Sequence, residues 1–146
     1  MQSRWIIKNI IDKEEESIVL KEFGFGRVKL KNAIKNPVIL KILNRIRQEV
    51  TFELSDESYF KVENYLYGHD WHCDTGDRNQ MPWCTIGATI LLSGEHTGGE
   101  LSYKNPLGYD DMIHDRKVYD LYFHTSDVFH KVEKSSGDRK VLLLFI

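Results

Sequence analysis

The second half of the chain is a series of short runs rich in aromatic and β-branched residues, separated by glycine, proline, asparagine, aspartate and serine. This texture is typical of β-strands joined by turns. A sequence with many short strands and no long helical pattern folds as a sandwich or a barrel. The candidate strands are Tyr59–Tyr67, Trp71–Asp74, Thr85–Leu92, Glu100–Tyr103, Lys117–Phe123, Val128–Val132 and Arg139–Ile146.

The N-terminal part begins with Trp5–Ile11, a short apolar run rich in isoleucine that predicts a strand, and then carries helix signals. Asp12 followed three residues later by Glu15 has the form of a capping box, which predicts a helix over residues 13–22. Asn36 and Pro37 predict a second helix start, because asparagine is a favoured N-cap and proline a favoured first helical residue. Apolar residues recur at helical spacing after it, which indicates one buried stripe that packs against the rest of the domain.

His72-Cys73-Asp74 places two kinds of metal ligand two residues apart. In an extended strand alternate side chains project to the same side, so His72 and Asp74 converge while Cys73 points away. A distant histidine, His130, completes a set of two histidines and one carboxylate. Such a set occupies one face of an octahedral ion and leaves the opposite positions open, as non-haem Fe(II) oxygenases require.

The C-terminal residues extend this candidate site. Ser135–Asp138 has the composition of a turn, so we expect the last two strands to form an antiparallel hairpin that brings His130 beside Arg139. The guanidinium of Arg139 is a permanently charged, forked donor that suits a carboxylate. Val141–Ile146 is apolar on both faces, which predicts a strand in the middle of the core.

The ordered set of motifs resembles the Fe(II)- and 2-oxoglutarate-dependent oxygenases, and among them the prolyl 4-hydroxylase-like branch. The resemblance covers nearly the whole chain. The stretch from Asp120, DLYFHTSDVFHKVEKSSGDRK, is similar to the family segment that carries the distal histidine and the co-substrate arginine or lysine. An isolated His-x-Asp is a weak signal, whereas the full ordered set is a strong one. The residues that match in order are Tyr65, Gly68, His72, Asp74, Gly98, Gly99, Glu100, His130, Gly137 and Arg139.

The resemblance implies a double-stranded β-helix, or jelly roll of the cupin kind, mostly β with N-terminal helices. It further implies an Fe(II) centre held by His72, Asp74 and His130, the residues to which it assigns catalysis. The co-substrate 2-oxoglutarate is then converted with O2 to succinate and carbon dioxide while a substrate C–H bond is hydroxylated. Ascorbate is a supporting reductant in this scheme.

A prolyl residue in a peptide or protein is the first expectation for the substrate, and a free amino acid or other small metabolite is the alternative. A nucleic-acid demethylase is discounted, because that branch carries a second arginine six residues after the first, where this chain has Phe145. A jelly-roll binding module that keeps a metal without catalysis is the alternative outside the enzymes. Release of succinate separates the last possibility from an oxygenase.

The resemblance also assigns contacts around the iron. Leu91 stands where prolyl hydroxylases often have a tyrosine that contacts the distal carboxylate of 2-oxoglutarate. The resemblance therefore implies that Arg139 and a threonine bind this carboxylate instead. The candidates for co-substrate contacts are Tyr65, Tyr67, Thr85 and Thr89. Weaker candidates for substrate contacts are Trp71, Arg78 and Trp83. The polar segments Thr75–Met81 and Lys104–Asp115 are the expected specificity loops.

Other polar residues receive more ordinary predictions. His69 is a rival metal ligand only if residues 69–72 are helical, which the nearby glycine and tyrosines disfavour. The remaining histidines are expected in loops or in ordinary hydrogen bonds: His96, His114 and His124. Cys73 and Cys84 are expected to be small buried residues.

Composition sets the outer limits. A chain of 146 residues with 41% hydrophobic residues is the size of one domain, and we expect residues 1–52 to form a helical flank on a core of residues 53–146. The net charge of −2 gives no electrostatic footprint for nucleic acid. Two cysteines outside any CxxC pair, no apolar run of membrane-spanning length and no signal-peptide pattern favour a cytoplasmic protein that does not act at a membrane.

Overall fold

The computed structural model describes residues 3–75 and 81–146. Their regular structure is mostly extended, as the texture of the sequence predicts. The helices are α1 (Lys13–Phe23), α2 (Leu30–Ala33) and α3 (Pro37–Arg47). The strands are β1 (Arg4–Ile7), β2 (Gly26–Lys29), β3 (Tyr59–Asn64), β4 (His69–His72), β5 (Ile86–Leu91), β6 (His96–Gly98), β7 (Leu101–Lys104), β8 (Asp110–Ile113), β9 (Leu121–Thr125), β10 (His130–Val132), β11 (Ser135–Gly137) and β12 (Lys140–Phe145).

The strands form three antiparallel sheets. A six-stranded sheet has the order β1-β9-β5-β12-β3-β2, a four-stranded sheet has the order β4-β10-β7-β8, and β11 pairs with β6 in a third. From β3 onward the chain crosses repeatedly between the two larger sheets, since β3, β5, β9 and β12 lie in one while β4, the β7–β8 hairpin and β10 lie in the other. This alternation is that of the jelly roll, so the predicted fold class is confirmed.

The six-stranded sheet has two chemically different faces because side chains alternate along each strand. One face is apolar and packs with the helices in the main core; on β3, β5 and β12 it consists of Phe60, Val62, Ile86, Ala88, Ile90, Leu142 and Leu144. The other face lines a cavity, with Tyr59, Lys61, Glu63, Thr89, Val141, Leu143 and Phe145. The six-stranded sheet therefore lies between the hydrophobic core on one side and the cavity on the other.

The predicted helix starts are confirmed. Asp12 and Glu15 form the capping box of α1, each accepting the other's backbone N–H. Asn36 caps α3 by accepting hydrogen bonds from the backbone N–H groups of Val38 and Ile39. The apolar stripe of α3 is buried in the main core, as its spacing predicts. No helix among residues 3–75 and 81–146 is long and apolar enough to cross a membrane.

The predicted C-terminal hairpin is wrong. β10 pairs with β4 and β7, whereas β12 lies between β5 and β3 in the other sheet. The connecting residues form β11, which pairs with β6. Gly137, with φ 101°, lies so close to β6 that a Cβ atom would be 2.6 Å from the carbonyl oxygen of Glu95. The glycine permits close strand packing rather than a tight turn.

Other boundaries also differ from those predicted. Lys104–Asp115 is not a continuous loop, because β8 occupies part of it and pairs with β7. The strand expected from Lys117 begins only at Leu121. In the segment before residue 53, β1 overlaps the predicted strand Trp5–Ile11 but ends earlier, and β1 and β2 form both edges of the six-stranded sheet. β12 occupies the central position that its apolar sequence predicts.

The α3 cap yields a stability prediction. Asn36→Ala removes the acceptor for two backbone N–H groups at a buried helix end, so the free energy of unfolding should fall by about 1–2 kcal/mol in urea denaturation. Asn44→Ala, the same change at an exposed position of the same helix, is the control and should change it by less than about 0.5 kcal/mol. Equal losses in the two variants would contradict the capping role.

Candidate metal centre

Three predicted ligands come together between the two larger sheets. His72 ends β4 and is the cross-strand partner of His130, the first residue of β10. One ligand atom from each of His72, Asp74 and His130 lies within 4.8 Å of the others, and all three residues are buried. These residues are therefore placed to hold one ion.

Asp74 reaches this centre by a different route from the one predicted. It lies beyond the end of β4, so strand alternation does not aim its side chain. The backbone N–H of Asp74 instead donates to the carbonyl oxygen of Ser126, at 2.9 Å. A turn held by a backbone hydrogen bond directs the carboxylate toward the histidines.

The two histidine rings are oriented by backbone carbonyls. Nδ1 of His72 donates to the carbonyl oxygen of Asp70 at 2.7 Å, and Nδ1 of His130 donates to that of Val128 at 2.9 Å. A carbonyl oxygen can only accept, so each Nδ1 carries the proton and each neutral ring keeps its lone pair on Nε2. This arrangement is the usual support for a metal-ligating histidine.

His124 and Tyr103 complete the support of the carboxylate. Nε2 of His124 donates to Oδ2 of Asp74 at 2.7 Å, and the hydroxyl of Tyr103 lies 3.1 Å from Nδ1 of His124. Because Nε2 carries the donated proton, Nδ1 accepts from Tyr103 when the ring is neutral. Oδ1 of Asp74 stays directed toward His130.

The sequence did not identify this role for His124. The residue was expected in a loop or an ordinary hydrogen bond, but it is a buried residue of β9 that bonds to a proposed ligand. The available signal was the alternation of Tyr122 and His124 in one strand. That alternation predicts that the two side chains lie on the same face of the strand. It does not predict which residue of another strand contacts that face.

The electrostatics of the centre favour neutral rings beside a charged carboxylate. Burial, assisted by the nearby His130, lowers the pKa of His72 from 6.5 to about 4. Burial also lowers the pKa of His124. For Asp74 burial acts to raise the pKa, but its contacts with His124 and His130 outweigh burial and hold the pKa below its ordinary value. Metal ions require this state, with deprotonated ligands.

The donor set fits a cation. When the ring of His130 carries one proton, on Nδ1, its Nε2 presents a lone pair to Oδ1 of Asp74 at 3.4 Å, so two acceptors face each other in a buried space. A divalent ion between such groups satisfies both. The residues around Asp74 are tightly packed, because a Cβ atom on Gly87 would lie 2.7 Å from Nε2 of His124 and closer still to Asp74.

The ligand atoms face a cavity of about 300 Å³. Its walls come from both sheets, with Leu101 and Val132 from the four-stranded sheet and Thr89 and Leu143 from the six-stranded one. Of the predicted co-substrate residues, Tyr65, Thr89 and Arg139 line it. Burial raises the pKa of Tyr65 to about 12, so its hydroxyl keeps its proton.

Arg139 lies in the wall with its position fixed by backbone. Its Nη1 donates to the carbonyl oxygen of Tyr65 and its Nη2 to that of Gly99, both at 3.1 Å. The side chain is almost fully buried, and its Nε has no partner among the described residues. The guanidinium therefore has donors left for a group inside the cavity.

Two of the residues predicted to contact the co-substrate do not line the cavity. Tyr67 is 88% exposed, since it follows the end of β3 on the outside of the protein. Thr85 is also exposed, and its hydroxyl donates to the carbonyl oxygen of Ile146. Thr85 lies before β5 begins, so it does not share the cavity face that Thr89 occupies.

Two of the weaker substrate candidates, Trp71 and Trp83, do not line the cavity. Trp71 points to the side opposite His72 and packs under the ammonium groups of Lys104 and Lys131. Trp83 contacts the ring of Tyr59, whose centroid is 6.1 Å away. Arg78 and most of the predicted loop Thr75–Met81 lie outside the described residues. These three substrate contacts stay predictions.

The rival ligand and the cysteines have clear positions. His69 begins β4, so residues 69–72 are not helical, and its ring stacks on that of His72 with centroids 3.6 Å apart. Cys84 is buried as expected. Cys73 is only half-buried, because it lies after the end of β4 rather than inside a covered strand.

No protein-family model matches this sequence. No curated protein matches it either. Solved structures do match the fold. A prolyl-4-hydroxylase from Pseudomonas putida superposes with a TM-score of 0.72 over 100% of this chain and 85% of the other, at 14% identity. The chain has the prolyl 4-hydroxylase-like fold. The fold implied by the sequence resemblance is thus confirmed.

Two other structures with this fold were solved with ligands. A prolyl hydroxylase from Trichoplax adhaerens, in complex with a hypoxia inducible factor peptide fragment, has a TM-score of 0.62 and 12% identity, over 98% of this chain and 83% of the other. EvdO2 from Micromonospora carbonacea, complexed with 2-oxoglutarate, has a TM-score of 0.58 and 10% identity, over 99% of this chain and 86% of the other.

The lowered pKa of His72 yields a prediction for the metal-free protein. Between about pH 4 and pH 6.5 the unfolded chain binds a proton at His72 that the folded protein does not. The free energy of unfolding should therefore fall as the pH is lowered through this window. The pKa difference corresponds to about 3 kcal/mol. Urea denaturation across the window should show this loss, and His72→Gln should reduce it. A loss of the same size in His72→Gln would contradict the assignment to His72.

Proposed function

We propose that this protein is an Fe(II)- and 2-oxoglutarate-dependent dioxygenase that hydroxylates a C–H bond, with a prolyl residue of a peptide or protein as its substrate. The observation that carries the proposal is the convergence of His72, Asp74 and His130 on a cavity that also contains the buried guanidinium of Arg139. A metal site alone has many uses. A metal site and a carboxylate-binding group in the same cavity suit a 2-oxo acid that chelates iron at one end.

In this proposal His72 and His130 bind Fe(II) through Nε2 and Asp74 binds it through Oδ1. The iron, with O2 and 2-oxoglutarate, supplies the oxidising power for hydroxylation. The protein keeps the ligands in place: the carbonyl oxygens of Asp70 and Val128 fix the two rings, and His124 holds the second carboxylate oxygen. Three protein ligands on one side would leave the other side of a bound ion to the co-substrate and oxygen.

Arg139 binds the distal carboxylate of 2-oxoglutarate. Its two hydrogen bonds to backbone carbonyls hold the guanidinium plane in the wall before the co-substrate arrives, so little conformational freedom is lost on binding. Tyr65 lies beside it, with its ring centroid 5.6 Å from the guanidinium carbon. The hydroxyl of Tyr65, which keeps its proton, is a neutral donor for the same co-substrate.

A prolyl substrate is supported by the fold shared with two prolyl hydroxylases, one of them complexed with a peptide. A free amino acid or small metabolite is the competing substrate class, and a cavity of about 300 Å³ has room for one. The test is to incubate the protein with Fe(II), ascorbate, 2-oxoglutarate and proline-containing peptides, and to measure succinate and added oxygen by mass spectrometry.

Three results of this test are informative. Succinate with an added oxygen atom on proline supports the proposal in full. Succinate with oxygen added only to small molecules would overturn the substrate class and keep the reaction class. A folded, iron-loaded protein that releases no succinate in the presence of any of these compounds would contradict the enzyme assignment and favour a metal-holding binding module.

The proposed ligands yield a prediction for metal binding. Replacing His72, Asp74 or His130 by alanine leaves an incomplete ligand set, so Fe(II) binding under anaerobic conditions should weaken by at least about a hundredfold and succinate release should cease. Calorimetric titration with Fe(II) measures the affinity. His114→Ala, at an exposed histidine outside the cavity, is the control and should bind iron normally. Normal iron affinity in a folded His130→Ala protein would refute this ligand set.

The carboxylate clamp yields a separate prediction. Arg139→Gln removes the charge and should raise the KM for 2-oxoglutarate about tenfold to a hundredfold, because a hydrogen bond to a charged group is worth about 1.5–3 kcal/mol. Iron affinity should stay normal. Arg139→Lys keeps the charge and tests whether the forked donor matters, with a smaller rise expected. An unchanged KM in a folded Arg139→Gln protein would place the carboxylate elsewhere.

A further inference from the structure

A second arginine reaches the same cavity from an unexpected direction. Arg116 lies in the segment between β8 and β9, outside every motif that carries the family resemblance. Its side chain lines the cavity, and its Nη2 donates to the hydroxyl oxygen of Thr89 at 2.8 Å. The guanidinium carbon lies 5.6 Å from the ring centroid of Tyr122. These contacts hold the guanidinium inward, toward β5.

The charge of Arg116 has no counterpart in the wall. Within residues 3–75 and 81–146, no carboxylate lies within ion-pairing distance of Arg116 or Arg139. The Nε atoms of both side chains are buried and have no hydrogen-bond partner there. Two guanidinium groups facing one cavity repel each other, and unpaired buried charge is costly. An anion bound between them would remove both costs.

The position of Thr89 relates this anion site to the metal centre. Gly87 lies directly under Asp74, and Thr89 is the next residue on the same face of β5. Two residues of an extended strand span about 7 Å. An anion held by Thr89 and Arg116 is therefore one short molecule away from an ion at Asp74. A five-carbon dicarboxylate that chelates the metal with one end spans such a gap.

We propose that Arg116, held by Thr89, binds the distal carboxylate of 2-oxoglutarate together with Arg139. This inference rests on the proposed function and deepens it, because it makes the two-arginine site the feature that selects a dicarboxylic 2-oxo acid. A 2-oxo acid with no distal carboxylate, such as pyruvate, leaves both guanidinium groups unpaired. The affinity for 2-oxoglutarate should therefore exceed the affinity for pyruvate by a larger factor than a single arginine would give.

The test compares binding of 2-oxoglutarate and pyruvate to the Fe(II)-loaded protein by anaerobic calorimetry, in the wild type, Arg116→Gln and Lys117→Gln. Lys117 is the exposed neighbour of Arg116, so its variant has the same change in net charge without a change in the cavity. Arg116→Gln should bind 2-oxoglutarate about tenfold to a hundredfold more weakly than the wild type, with pyruvate affinity unchanged. Lys117→Gln should match the wild type for both compounds.

The outcomes separate this inference from the proposed function. If the wild type binds 2-oxoglutarate and Arg116→Gln binds it equally well, this inference fails and the proposed function stands. If the wild type binds iron but no 2-oxoglutarate, both fail. Should Arg116→Gln not fold, Thr89→Val removes the hydroxyl that holds Arg116 and nearly preserves the side-chain volume. It should weaken 2-oxoglutarate binding in the same direction, and an unchanged affinity there overturns the inference.

Discussion

The hydrogen bond from His124 to Asp74 is the contact on which the candidate centre depends. It joins a carboxylate at the end of the four-stranded sheet to a strand of the six-stranded sheet, so it ties the two layers together where the ligands meet. It also occupies one carboxylate oxygen and leaves the other for an ion. A glycine at position 87 is needed because any larger residue would push into this contact.

The six-stranded sheet explains how a chain of this length carries both a core and a cavity. Apolar residues of even number on β3, β5 and β12 pack with the helices, while most residues of odd number on the same strands face the cavity. Each strand therefore serves stability with one face and chemistry with the other. A shift of one residue in register would exchange the two faces, so the apolar pattern also fixes the position of Thr89 and Arg139.

The sequence predicted what is local or carried by a motif. Helix caps, the central strand β12 and the set of His72, Asp74 and His130 follow from residue types and spacing. The contacts missed were those between distant segments. A turn was predicted over residues 135–138 from their composition, but residues 135–137 form a strand because they pair with β6. No local signal identifies the partners of His124 and Arg116, since only the tertiary fold brings these residues to Asp74 and Thr89.

The central claim concerns where one iron and one co-substrate sit relative to these residues. A crystal structure of the Fe(II)-loaded protein with 2-oxoglutarate, grown without oxygen, tests it most directly. The account predicts one ion bound by Nε2 of His72, Nε2 of His130 and Oδ1 of Asp74, with the distal carboxylate of 2-oxoglutarate at Arg139. An ion bound by His69 or His124 in place of one of these ligands, or a co-substrate outside the cavity, would contradict it.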